Sequence, residues 1–120
     1  MTSREILRSE FEAGSGSFLL QARSRYTWDW DAFRRLTSAM YDVADEVKGQ
    51  SSIETWIAHG FWFCDTWIRG HTSHPNFPRP PEDAYRDALE LLSNLAYFLF
   101  VGRTKNDDAF VDTLRKKAEG

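Results

Sequence analysis

Apolar residues recur along this chain every three or four positions, and no segment alternates convincingly with period two, so the pattern predicts helices throughout. One stripe runs Phe33, Leu36, Met40, Ala44, Val47. A second runs Ile53, Trp56, Ile57, Gly60, Phe61, Cys64, Trp67, Ile68, and a third Tyr85, Ala88, Leu89, Leu92, Leu95, Ala96, Leu99. Boundary signals bracket the stripes. Asp29 is placed to cap the first, with Asp31 adding charge suited to a helix N-terminus, and Gly49 supplies its stop. Ser51 with Glu54 three residues on has the spacing of a capping box for the second, which Gly70 is expected to end. Pro81 followed by Glu82 and Asp83 opens the third, and Gly102 closes it. Residues 95–101 are apolar all round, so that half is expected to be central.

Shorter elements flank these three. Residues 3–12 carry Ile6, Leu7, Glu10 and Phe11 at helical spacing, and residues 107–117 would bury Phe110, Val111 and Leu114. Gly14-Ser15-Gly16-Ser17 reads as a flexible joint, too short for an interdomain linker. Phe18-Leu19-Leu20 with Ala22 fits either a short helix or an extended arm. The expected fold is all-α: an antiparallel helical bundle of three main helices plus short terminal helices. Residues 1–120 form one helical domain, with 1–28 an amino-terminal helix and flexible arm and 29–118 the helical core. Gly60 inside the second helix is unfavourable by about 1 kcal/mol relative to alanine. Its place on the buried stripe points to close approach by another helix.

Composition sharpens this picture. At 120 residues the chain is long enough for a real core without disulfide staples, and its 15% aromatic content predicts a core built from large rings. A net charge of −3 argues against a phosphate-backbone partner. The single cysteine cannot form an internal disulfide, no secretory pattern opens the chain, and no apolar run is long enough for a bilayer. A cytoplasmic location with no membrane association is the expectation.

Candidate chemistry concentrates after position 53, where all three histidines, the cysteine and all four prolines lie. His59, His71 and His74, with Cys64, are ligand types suited to zinc. Their spacing is not that of a structural zinc motif, and His59 and Cys64 point about 140° apart around a helix. Packing for Cys64 and carbonyl capping for His71 and His74 are the plainer readings. Two acidic faces, Asp42, Asp45, Glu46 and Asp83, Asp87, Glu90, could hold magnesium for pyrophosphate hydrolysis, but they lack the doubled glutamates and close spacing such enzymes carry. A solvated helix face accounts for them equally well. Arg23, Arg25, Tyr26, Trp28, Trp30, Phe33, Arg34 and Arg35 could stack on single-stranded nucleic acid, but Asp29 and Asp31 interrupt the cluster, so internal packing is the better reading. Ser73 between histidines makes no triad, and Gly14-Ser15-Gly16 lacks the lysine of a phosphate loop.

A binding role remains. The proline-rich loop 74–81 is stiff, and Phe77 is either a staple or displayed. Trp62 lies off the main stripe, near His59, Thr55, Thr66 and Arg69. A central position for its helix favours its being covered by a terminal helix; otherwise it is an anchor for a partner. The expected function is that of a small protein-binding, inhibitory protein of bacterial immunity or antitoxin type. It would engage a basic toxin through Asp42, Asp45, Glu46, Trp62, Asp83, Asp87 and Glu90, without a cofactor. The alternative is a metal-binding domain or metal-dependent hydrolase, using zinc at His59, His71 and His74 or magnesium at the acidic faces.

Overall fold

Six stretches close helical hydrogen bonds among residues 1–101 and 108–120, which the computed structural model describes. They are α1 (Ser3–Phe11), α2 (Phe18–Arg25), α3 (Trp30–Val47), α4 (Thr55–Thr72), α5 (Glu82–Phe100) and α6 (Asp108–Glu119). No strand occurs among the described residues. The expected stop at Gly102 and a helix start at 107 fall outside them.

Local chemistry sets most of the starts. Thr2 and Glu5 form a capping box on α1, each side chain accepting the other's backbone N–H at 3.1 Å. Ser17 caps α2 by accepting from Leu20 N, and Asp29 caps α3 by accepting from Ala32 N, as its position predicts. Gly49, at φ +83°, follows the end of α3 in the left-handed conformation glycine favours. The segment at 18–25 is helical rather than extended, and Phe18, Leu19 and Ala22 are buried. Gly14 to Ser17 form a hydrogen-bonded turn: Gly14 N–H donates to Ser9 O, Ser17 N–H to Gly14 O, and Arg35 Nη2 to Gly16 O.

Two boundaries differ from the pattern. The Ser51–Glu54 capping box does not form, because α4 begins only at Thr55 and Glu54 is its uncapping N-cap residue. The Glu54 carboxylate is instead taken by Arg4 Nη2 at 2.6 Å and Trp56 Nε1 at 2.9 Å. Nor does Gly70 end α4. Glycine is free to stay helical, and the helix runs on to Thr72, whose hydroxyl donates to Ile68 O. There Arg79 Nη1 lies within 3.2 Å of the carbonyls of Thr72, Ser73 and His74, so the side chain after the turn meets the orphan acceptors.

The three longest helices pack together, with α5 against both α3 and α4, while α1 and α6 lie on α3. Phe18, Phe61, Phe98, Leu36, Met40 and Leu95 are among the fully buried side chains at the centre. Gly60 is a point of close approach, and the helix that approaches is α1: a Cβ there would sit 2.0 Å from the Phe11 ring. Glu10, 5% exposed, ties α1 to its neighbours by accepting from Phe18 N and Arg35 Nε.

The end of α5 is central on one side only: Leu95, Phe98 and Leu99 are buried. Tyr97, Phe100 and Val101 are 46%, 44% and 53% exposed on the side that α3, α4 and α6 leave uncovered, with Tyr97 packed edge-on against Phe110 of α6. On α6, Leu114 and Ala118 are buried, whereas Phe110 and Val111 are half-buried. No helix among the described residues is long and apolar enough to cross a membrane.

Candidate functional site

The histidines are separated by the helix that carries most of them. His59, Phe63, Trp67 and His71 recur every four residues on α4, and their rings stack in sequence, with centroids 5.9, 5.8 and 4.5 Å apart. His59 and His71 therefore stand about 18 Å apart along the axis, at 1.5 Å per residue. His71 Nε2 lies 2.9 Å from Ala22 O. A carbonyl can only accept, so this nitrogen carries the proton, and the ring caps α2 rather than its own helix. Tyr26 and Phe77 pack edge-on against it, and Phe77 is buried, a staple for the proline loop. His74 Nδ1 accepts from Asn76 N–H. Cys64 is wholly buried, and that burial pushes its thiol well above the usual thiol range. No three His, Cys, Asp or Glu side chains gather into a metal-holding group among the described residues.

The two acidic sets are likewise not brought together. Asp42 accepts from Ser3 Oγ at 2.8 Å, Glu46 pairs with Arg4 at 2.9 Å, and Asp45 pairs with Lys48 at 2.7 Å. The α3 set thus serves partly to hold α1. Asp83 and Asp87 pair with Arg86 at 3.2 and 3.5 Å, and Glu90 is exposed. Tyr41 stacks on Phe98, so the second half of α3 runs beside the second half of α5, while these acids occupy the first half of α5. In the arginine-aromatic cluster, Trp28 packs on Phe18, Trp30, Phe33 and Tyr85, and Arg34 and Arg35 are paired with Asp31 and Glu10.

Trp62 stands apart. It is 58% exposed, so no terminal helix covers it. The seam beside it is fixed by polar contacts. Ser93 Oγ donates to Asp65 Oδ1 at 2.9 Å, and Arg69 Nη2 donates to Ser93 Oγ at 2.8 Å and Leu89 O at 3.4 Å. Thr72 at the end of α4 meets Tyr85 near the start of α5 through a 2.7 Å hydroxyl pair. One helical turn from the Asp65–Ser93 contact, Trp62 on α4 comes level with Tyr97 on α5, and Phe100 and Val101 continue toward the same end. Four large apolar side chains are therefore displayed at one end of the α4–α5 pair.

Sequence reasoning missed the α5 half of this surface because residues 95–101 are uniformly apolar. A signal was present: Asp83, Asp87, Glu90, Asn94, Tyr97 and Val101 follow one another at three- and four-residue steps and so share one face, whose first members are charged. Comparison with protein-family models, curated proteins and solved structures finds no match for the chain, so the surface is read from its own residues.

Proposed function

We propose that this chain is a small protein-binding, inhibitory protein of immunity or antitoxin type, one domain on an antiparallel helical bundle, acting in the cytoplasm on a basic partner such as a toxin. The observation that carries this reading is the exposure of Trp62, at 58%, together with that of Tyr97, Phe100 and Val101 toward the same end of the α4–α5 pair. Clustered apolar side chains of this size are unfavourable in water and supply affinity when a partner covers them. Asp83, Asp87 and Glu90 precede them on the same face of α5. That arrangement joins an electrostatic approach, which speeds encounter with a basic protein, to apolar anchors, which slow its departure. The α3 acids Asp42, Asp45 and Glu46 contribute less to steering in this reading, since Ser3, Lys48 and Arg4 already engage them.

The test begins with the protein that co-purifies with the tagged chain from its native host, followed by stopped-flow kinetics on the purified pair. Asp87→Lys with Glu90→Lys is expected to slow association about tenfold at low salt, with the difference shrinking as salt rises. Trp62→Ala is expected to speed dissociation at least about tenfold, equivalent to about 1.4 kcal/mol. Salt-independent association together with an unchanged dissociation rate in Trp62→Ala would overturn the reading.

A further inference from the structure

A separate cleft of about 320 Å³ opens where the first half of α3, the first half of α5 and the end of α6 meet. Its cause lies in the sequence of α5. Ala84 and Ala88, four residues apart on one face, line it where larger side chains would have filled the space against α3. Phe33 and Leu91, 3% and 7% exposed, form an apolar floor, and Trp30 stands at the mouth, 36% exposed. Thr37 is the polar residue of the floor. Its hydroxyl is already committed to Ala118 O at 2.8 Å, so the interior favours an apolar occupant.

The mouth has the opposite character. Arg34 and Lys117 line it together with Asp87. Asp87 pairs with Arg86 at 3.5 Å, and one nitrogen of Arg34 pairs with Asp31 at 2.6 Å. Lys117 has no ion-pair partner among the described residues. Gly120 also lines the mouth, against the stem of Arg34, and among the side chains there the uncommitted charge is the Lys117 ammonium and the remaining guanidinium donors of Arg34, both suited to an anion.

We propose that this cleft is a binding site for a small amphipathic anion, with an apolar body lying over Ala84, Ala88 and Leu91 against the edge-packed Trp30–Phe33 pair and a carboxylate or sulfonate at Arg34 and Lys117. The size of the cavity suits a ligand of one or two fused rings, at the lower end of small-molecule sites. This site lies apart from Trp62, shares only Asp87 with the face proposed for a protein partner, and does not depend on that reading.

The probe is 8-anilinonaphthalene-1-sulfonate, titrated into the native chain by fluorescence and calorimetry. One molecule is expected to bind per chain. Ala84→Leu, which fills the cleft from its half-buried wall, is expected to weaken binding at least about tenfold without lowering the melting temperature. Lys117→Gln, an exposed change that leaves folding intact, is expected to weaken it several-fold, while the uncharged analogue N-phenyl-1-naphthylamine binds the native chain and Lys117→Gln alike. Unchanged dye affinity in both Ala84→Leu and Lys117→Gln would overturn the assignment. So would loss of dye binding in Trp62→Ala alone, since the dye would then occupy the other surface.

Discussion

At Gly60 a methyl group would have to enter the ring of Phe11, 2.0 Å from its Cδ2, whereas at Gly70 it would meet nothing within 4 Å. Both residues lie inside α4, so alanine offers each the same gain in helix propensity, about 1 kcal/mol. The surroundings decide the sign. Gly70→Ala is expected to stabilise the chain by about 0.5–1 kcal/mol. Gly60→Ala is expected to destabilise it by about 1–3 kcal/mol, since the ring can yield only by loosening α1. Urea unfolding of both variants checks this, and adding Phe11→Ala to Gly60→Ala should relieve most of the clash, a non-additivity measurable in a double-mutant cycle. The need for glycine at 60 was legible in its place on the apolar stripe. That Phe11 is what fills the space was not, because nothing local to α4 specifies which helix arrives there.

The same distinction holds between elements. Arg4 on α1 bridges Glu46 on α3 and Glu54 at the start of α4, at 2.9 and 2.6 Å. Its hydrogen bond to Glu46, then that to Glu54, raises its pKa. In turn the Trp56 indole, and after it Arg4, holds the Glu54 carboxyl below its ordinary value of 4.5. Glu5, in the α1 capping box, is lowered as well by the backbone and side chain of Thr2. Folding therefore releases protons from these groups in the interval between their lowered and ordinary values. The stability they give is complete above about pH 4.5 and is lost as pH falls through the lowered values. Melting temperature should fall across that acid window, and Glu54→Gln should flatten the fall; an unchanged slope would show that the bridge adds nothing. A capping box between Ser51 and Glu54 was a sound local expectation. It failed because α4 begins at Thr55, with the Glu54 carboxylate held by the Trp56 indole and by Arg4, 50 residues away in sequence. The end of α4 moved for a like reason, since Arg79 reaches back to carbonyls beyond Gly70.

For the whole molecule, Cys64 is a reporter of integrity. Its thiol is fully buried, and burial holds it in the protonated, unreactive form. Reaction with an aromatic disulfide reagent at pH 8 should proceed only through opening of the core, with a rate that rises with urea in parallel with unfolding. Fast labelling of the native chain would mean that α4 is accessible without global opening. Helical class, the three buried stripes, the Asp29 cap and the packing role of Cys64 were all determined by the sequence alone, because each follows from spacing within a single helix. Tertiary structure alone decided that His71 is spent on the Ala22 carbonyl, that α1 engages the α3 acids, that one side of the end of α5 is open, and that Ala84 and Ala88 border a cleft. These depend on which helix faces lie against one another. A periodic pattern identifies the apolar side of a helix, but how much of that side stays uncovered is decided only when the neighbouring helices take their places.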